Sequence, residues 1–208
     1  MRLLIDGNEV PWDVSALRTF GEVLEEAGRV AATQGRVVSG VSVEGLEIPT
    51  RLERVLAERP PGEIGEVRIS TTTPAALLRE ALDGALDLGG AILRDVRSVV
   101  ASLKGRDIPA ATSLYVSCVE SLATFFQLAG AVFNGIQSGA FPLPEEAPSG
   151  ARELPSPPSS TAEILERLLA AQKSEDWAAM AALLEDRIVP NLVEWSACLS
   201  AIRGPAPK

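Results

Sequence analysis

The chain of 208 residues contains no histidine. That removes the commonest general base at neutral pH, the Ser–His and Cys–His nucleophile pairs, and the commonest zinc ligand. It also removes the Glu-x-x-His ligands of di-iron helix bundles. The 2 cysteines, Cys118 and Cys198, lie far apart in sequence without ligand-spaced partners, so neither a metal nor a cofactor is expected. Both fall in apolar helical patterns and read as reduced, core-packed thiols, with a disulfide across facing helices left open. Aromatic residues make up only 4% of the chain, so Ala, Leu and Val must do most of the packing, which favours helices. No GxGxxG or GxxxxGK[ST] pattern follows a strand, and Gly84, Gly89 and Gly90 sit in a helical period. The opening MRLLIDGNEV is interrupted at Asp6-Gly7-Asn8 and does not read as a signal peptide. No run of 18 consecutive apolar residues occurs, so no membrane span is expected and the address reads as cytoplasmic. A net charge of −9 without a Lys/Arg stripe argues against nucleic acid and anionic membrane surfaces.

What is present changes character near residue 73, which predicts an α+β class in two parts, 1–73 and 74–208. Residues 2–14 read as a hairpin, because Asp6-Gly7 is a turn dipeptide suited to positive φ, with Pro11 fit for an edge. Thr19-Phe-Gly-Glu22 is a capping box that opens a helix carrying Phe20, Val23, Leu24, Ala27, Val30 and Ala31. Val37, Val41 and Val43 then lead to a turn at Glu44-Gly45, and Thr50-Arg-Leu-Glu53 is a second capping box. Arg59-Pro-Pro-Gly62 breaks that short helix, and GEVRIST (65–71) reads as the last strand. In element order, residues 1–72 resemble the β-grasp (ubiquitin-like) fold, with a ferredoxin-like α+β domain as the competing architecture. The resemblance implies a docking module. The tag or sulfur-carrier role of that family uses a C-terminal Gly-Gly, whereas here Ser70-Thr-Thr-Thr73-Pro74 runs on into a helix and the chain closes with Pro-Ala-Pro-Lys208.

From Pro74 onward the period is helical. Leu78, Leu82, Ala85, Gly89, Ile92, Val96, Val99 and Leu103 fall at alternating spacings of four and three, a heptad seam. Gly89-Gly90 in mid-helix costs about 1 kcal/mol per glycine relative to Ala, which close approach of a second helix would explain. Asp107 caps the next helix, with Pro109 in its first turn. That helix, about 108–137, carries two apolar stripes: Tyr115, Val119, Leu122, Phe126, Ala129, Phe133 and Ile136, and then Leu114, Cys118, Phe125 and Val132. The Pro-rich stretch 138–159 reads as a linker inside the helical part. Ser160-Thr-Ala-Glu163 is a third capping box, and a last helix carries Trp177, Met180, Leu184, Ile188, Leu192, Trp195, Leu199 and Ile202, kinked at Pro190. LKGRDIPAATSLY (103–115) and QKSEDWAAMAALL (172–184) echo one another, either as a repeat or as shared turn chemistry. Two antiparallel helical hairpins, 75–137 and 161–203, forming one bundle are the expected architecture.

Carboxylates are the only abundant reactive groups. Asp83, Asp87 and Asp95 lie off the seam and read as a solvated face; Glu120 and Glu194 are the better candidates for partly buried acids, with Arg187 as a partner. No catalytic apparatus emerges, so the chain reads as a non-enzymatic protein-binding adaptor or chaperone-like protein. In texture its helical part resembles small cytosolic chaperones of bacterial secretion and flagellar export. An apolar groove would take an amphipathic helix of another protein, with Tyr115, Phe125, Phe126, Phe133, Trp177 and Trp195 as partner-binding residues. A self-assembling homodimer is the alternative, and a carboxylate-dependent enzyme a third reading.

Overall fold

A computed structural model of the chain describes residues 1–10, 12, 17–49, 55–142 and 161–204. Pro11, the capping box 50–53, Ser160 of the third box and residues 143–159 of the Pro-rich stretch lie outside the described residues. The chain is α+β, with an N-terminal mixed sheet followed by long helices, and it divides into two compact units, Met1–Leu77 and Leu78–Lys208.

The first unit is built around five strands: β1 (Arg2–Ile5), β2 (Asn8–Glu9), β3 (Val37–Val43), β4 (Leu46–Glu47) and β5 (Glu66–Thr72). Their order is β2-β1-β5-β3-β4, with β1 parallel to β5 and the remaining pairs antiparallel. Both hairpin turns place consecutive residues in the left-handed region, Asp6 at φ 49° with Gly7 at 81°, and Glu44 at 52° with Gly45 at 78°. This is the turn whose twist matches its flanking strands. Helix α1 (Phe20–Thr33) starts where the Thr19 hydroxyl accepts from the Glu22 N–H at 3.3 Å. The reciprocal half of the box is displaced by one residue, since the Glu22 carboxylate accepts from the Arg18 N–H at 2.6 Å. Phe20, Val23 and Ala27 of α1 pack on Leu3, Val41, Val67 and Ile69 of the sheet.

A polar interlock closes one end of this sheet. The Asp6 carboxylate accepts from the Thr71 N–H at 2.8 Å and from the Thr71 hydroxyl at 2.6 Å. The Arg36 guanidinium donates to the Thr71 carbonyl at 2.6 Å and reaches Asp6 at 3.3 Å. One acidic turn residue thus ties the first hairpin to the last strand and to the entry of β3. The hydrogen bonds from Thr71, side chain first and backbone second, hold the Asp6 carboxyl below its ordinary range, helped by Arg36.

Thr73 caps α2 (Pro74–Lys104), its hydroxyl accepting from the Ala76 N–H at 3.2 Å. The joint from strand to helix therefore occupies a single residue. All eight seam positions of α2 are buried. At Gly89 an added Cβ would stand 3.1 Å from Phe125 and 3.3 Å from Ser196, so three helices meet at this point. Helix α3 (Ile108–Gln137) follows, and α4 (Thr161–Lys173) and α5 (Trp177–Leu183) come next, succeeded by a π-turn (Leu184–Ile188) and α6 (Val189–Arg203).

The α2–α3 and α4–α5 turns match hydrogen bond for hydrogen bond. In the first, the N–H groups of Gly105, Arg106 and Asp107 donate to Ala101, Leu103 and Ser102; in the second, those of Ser174, Glu175 and Asp176 donate to Ala170, Gln172 and Ala171. Arg106 (φ 61°) and Glu175 (φ 54°) take the same left-handed position, and Asp107 and Asp176 cap the amides of Ala110 and Ala179. Beyond the turns the buried positions also correspond. Ala111, Tyr115, Cys118, Leu122, Phe125, Ala129 and Val132 run parallel to Met180, Leu184, Ile188, Leu192, Trp195, Leu199 and Ile202. The spacings agree except at one place: three residues separate Leu184 from Ile188 where two separate Tyr115 from Cys118. That extra residue is accommodated by the π-turn. The expected kink at Pro190 thus takes another form. Pro190 stands directly after the π-turn, in a helical run that continues unbroken from α5 into α6, and the irregularity before it takes up the backbone donor that proline lacks.

Candidate functional site

Tyr115, Phe125, Phe133 and Trp195 are buried, and Phe126 and Trp177 are partly buried against the same core. Trp195 is the hub. Its ring contacts Phe125 at 6.4 Å, Phe126 at 6.0 Å and Phe133 at 5.4 Å, the first and last edge-on. Its indole N–H lies 3.5 Å from the Thr161 hydroxyl at the start of α4. Four of the side chains expected to meet a partner, Phe125, Phe126, Phe133 and Trp195, pack against one another here, joining α3 to α6.

The burial of α3 also resolves its two stripes. The buried seam takes members of both, Ala111, Tyr115, Cys118, Leu122, Phe125, Ala129, Val132 and Ile136. Leu114, Val116 and Val119 are left exposed, Val116 by 53%. Glu120 is the one ionisable group between Ile108 and Gln137 other than Tyr115 and Cys118, and it points to solvent. By length and composition α3 is apolar enough to cross a membrane, which the sequence did not lead one to expect, and 33% of its most apolar stretch is buried within the bundle. Its outer face carries Val116 and Val119 among small, hydroxyl-bearing and amide residues, with Glu120 as its single charge.

The expected partly buried acids are absent from the interior: Glu120 and Glu194 are both exposed, as is Arg187. Helix geometry explains this, since each acid stands one or two positions off the buried seam. Asp87 and Asp95 are likewise exposed, and Asp83 pairs with Arg203 at 2.5 Å. Among the described residues no group of three potential metal ligands converges. Cys118 and Cys198 are free thiols. Burial pushes Cys118 up to about 11, with Asp95 adding to it, and burial also raises Cys198.

One feature not anticipated from the sequence is an open-sided trough of about 610 Å³. Leu103, Lys104, Arg106 and Ile108, around the α2–α3 turn, form one wall. Trp177, Ala178, Ala181 and Ala182 of α5, with Glu185 and Asp186 of the π-turn, form the other. Lys104 and Glu185 pair across it at 2.5 Å. The same pair borders a second cavity of about 260 Å³ that extends toward Arg97, Val100 and Val189. For the π-turn in its wall, three consecutive four-residue steps, Met180–Leu184–Ile188–Leu192, were the available signal. Each four-residue step drifts about 40° on a 3.6-residue helix, so a regular helix cannot keep all four on one face.

No family model, no curated protein and no solved structure matches this chain.

Proposed function

We propose that the chain is a non-enzymatic protein-binding adaptor or chaperone-like protein, acting in the cytoplasm through the outer face of α3. The observation that supports this most is the exposure of Val116, with Val119 about 60° round the helix from it, on a thirty-residue helix with one acidic side chain. Water gains nothing from such a face, and an amphipathic helix of another protein would remove it from solvent. In this reading Phe125, Phe126, Phe133 and Trp195 serve as the rigid backing of that face and not as its contacts. The described helices belong to two hairpins of one bundle, which the matched turns favour. The first unit is a β-grasp docking module, favoured by the strand order β2-β1-β5-β3-β4 and the parallel β1–β5 pair.

The test is a photo-crosslinking amino acid at Val116 of the full chain in its native cells, with a control at exposed Arg94 on α2. A discrete adduct with a different protein, formed from position 116 and not from 94, is expected. An adduct only with a second copy of the chain would replace this reading with the homodimer. No adduct, or the same adducts from both positions, would remove α3 as the binding face.

A further inference from the structure

The distortion between α5 and α6 is not one that the packing requires. Along α3 the buried positions from Ala111 to Val132 alternate steps of four and three. From Met180 to Ile202 they alternate in the same way, apart from the step between Leu184 and Ile188, which is four where three is due. Removing one residue between those two restores the alternation along the whole run. The extra residue lies inside the π-turn, where the Val189 N–H donates to the Leu184 carbonyl five residues back. Such a turn takes in one residue while the seams on both sides keep facing the core.

A second feature fixes the irregularity in place. Pro190 follows the π-turn directly. In a regular helix its ring would press on the carbonyl four residues back, and its missing N–H would leave that carbonyl without a donor. A regular helix is therefore closed to this stretch while the proline stands. We propose that the α5–α6 run repeats α3 with one residue inserted, that Pro190 locks the insertion into the π-turn, and that the fold needs neither. The insertion shapes the trough, whose wall takes Glu185 and Asp186 from the π-turn. Single π-turns inside α-helices occur frequently at functional sites. The proposal rests on the matched seams and is independent of the outer face of α3.

Thermal melting of the full chain, followed by its helical circular dichroism, tests this with three variants. Deletion of Asp186 together with Pro190→Ala is expected to melt cooperatively at or above the parent midpoint, because every buried position is kept and the run becomes a regular helix. Deletion of Asp186 alone closes the π-turn onto the proline and is expected to lower the midpoint by roughly 10 °C. Deletion of exposed Ser117, at the matching place in α3, turns every later seam position about 100° off the core and is expected to abolish the cooperative transition. A double variant that melts below the parent would overturn the proposal, because the fold would then need the inserted residue. Equal tolerance of the Ser117 deletion would overturn it too, since a missing residue would then be accepted where no π-turn stands.

Discussion

Gly89 and Gly90 are adjacent in the same helix, and the structure assigns them opposite responses to the same change. Replacing either by alanine in a helix interior is worth about 1 kcal/mol of stabilisation from backbone entropy alone. At Gly90 the new methyl meets only the Arg94 guanidinium at 3.9 Å, so Gly90→Ala should realise most of that gain. At Gly89 the methyl would stand 3.1 Å from a Phe125 ring carbon and 3.3 Å from the Ser196 hydroxyl. Phe125 is fully buried, with edge-on contacts to Phe126 at 5.4 Å and to Trp195, so its ring has little freedom to retreat. Overpacking of this kind costs about 1–3 kcal/mol, which cancels or reverses the helical gain. Gly89→Ala should therefore be neutral to destabilising, and Gly89→Val clearly destabilising. Urea unfolding of the full chain followed by tryptophan fluorescence compares the midpoints at constant slope. Equal stabilisation by Gly89→Ala and Gly90→Ala would refute the three-helix approach at residue 89.

Asp6 gives a pH prediction for the first unit. Its carboxyl is held below the ordinary range, so the Asp6–Thr71–Arg36 interlock is at full strength above the unfolded value near 4 and is lost as pH falls through the folded value. Thermal melts from pH 6 to pH 2 should show an acid limb that Asp6→Asn flattens; an unchanged limb would exclude the interlock as its cause. Trp195→Ala removes the aromatic hub and should cost about 3–5 kcal/mol by urea unfolding, against less than about 1 kcal/mol for exposed Val193→Ala. Thiol labelling at pH 8 should modify Cys198 well before Cys118, whose thiol is buried and raised to about 11; equal rates would contradict the burial of Cys118.

The seam of α2 was legible because its apolar positions alternate with charged ones, Arg79, Asp83, Asp87, Asp95 and Arg97, leaving one way for the helix to face. The Asp6-Gly7 and Glu44-Gly45 turns were legible because few dipeptides accept two successive positive φ angles. Helix α3 lacks that contrast. With aliphatic residues on every side, the pattern cannot choose between a stripe through Val119 and Phe126 and one through Cys118 and Phe125, and packing against α6 makes the choice. The fate of the aromatic residues follows from the same ambiguity. A large apolar ring looks alike in a sequence whether it backs an interface or forms one. The π-turn was hidden by Pro190, which drew attention to itself while the run of four-residue spacings beside it carried the signal. The trough could not be seen at all, because its walls come from two turns brought together only by the fold.

The central claim is that the outer face of α3 is reserved for a different protein. The most direct measurement is the mass of the full chain by light scattering across a wide concentration series, alongside Val116→Glu. The account predicts a monomer at every concentration for both proteins, with apolar-dye binding that Val116→Glu reduces. A dimer that grows with concentration and is dissociated by Val116→Glu would contradict it, because the face would then be occupied by a second copy of the same chain.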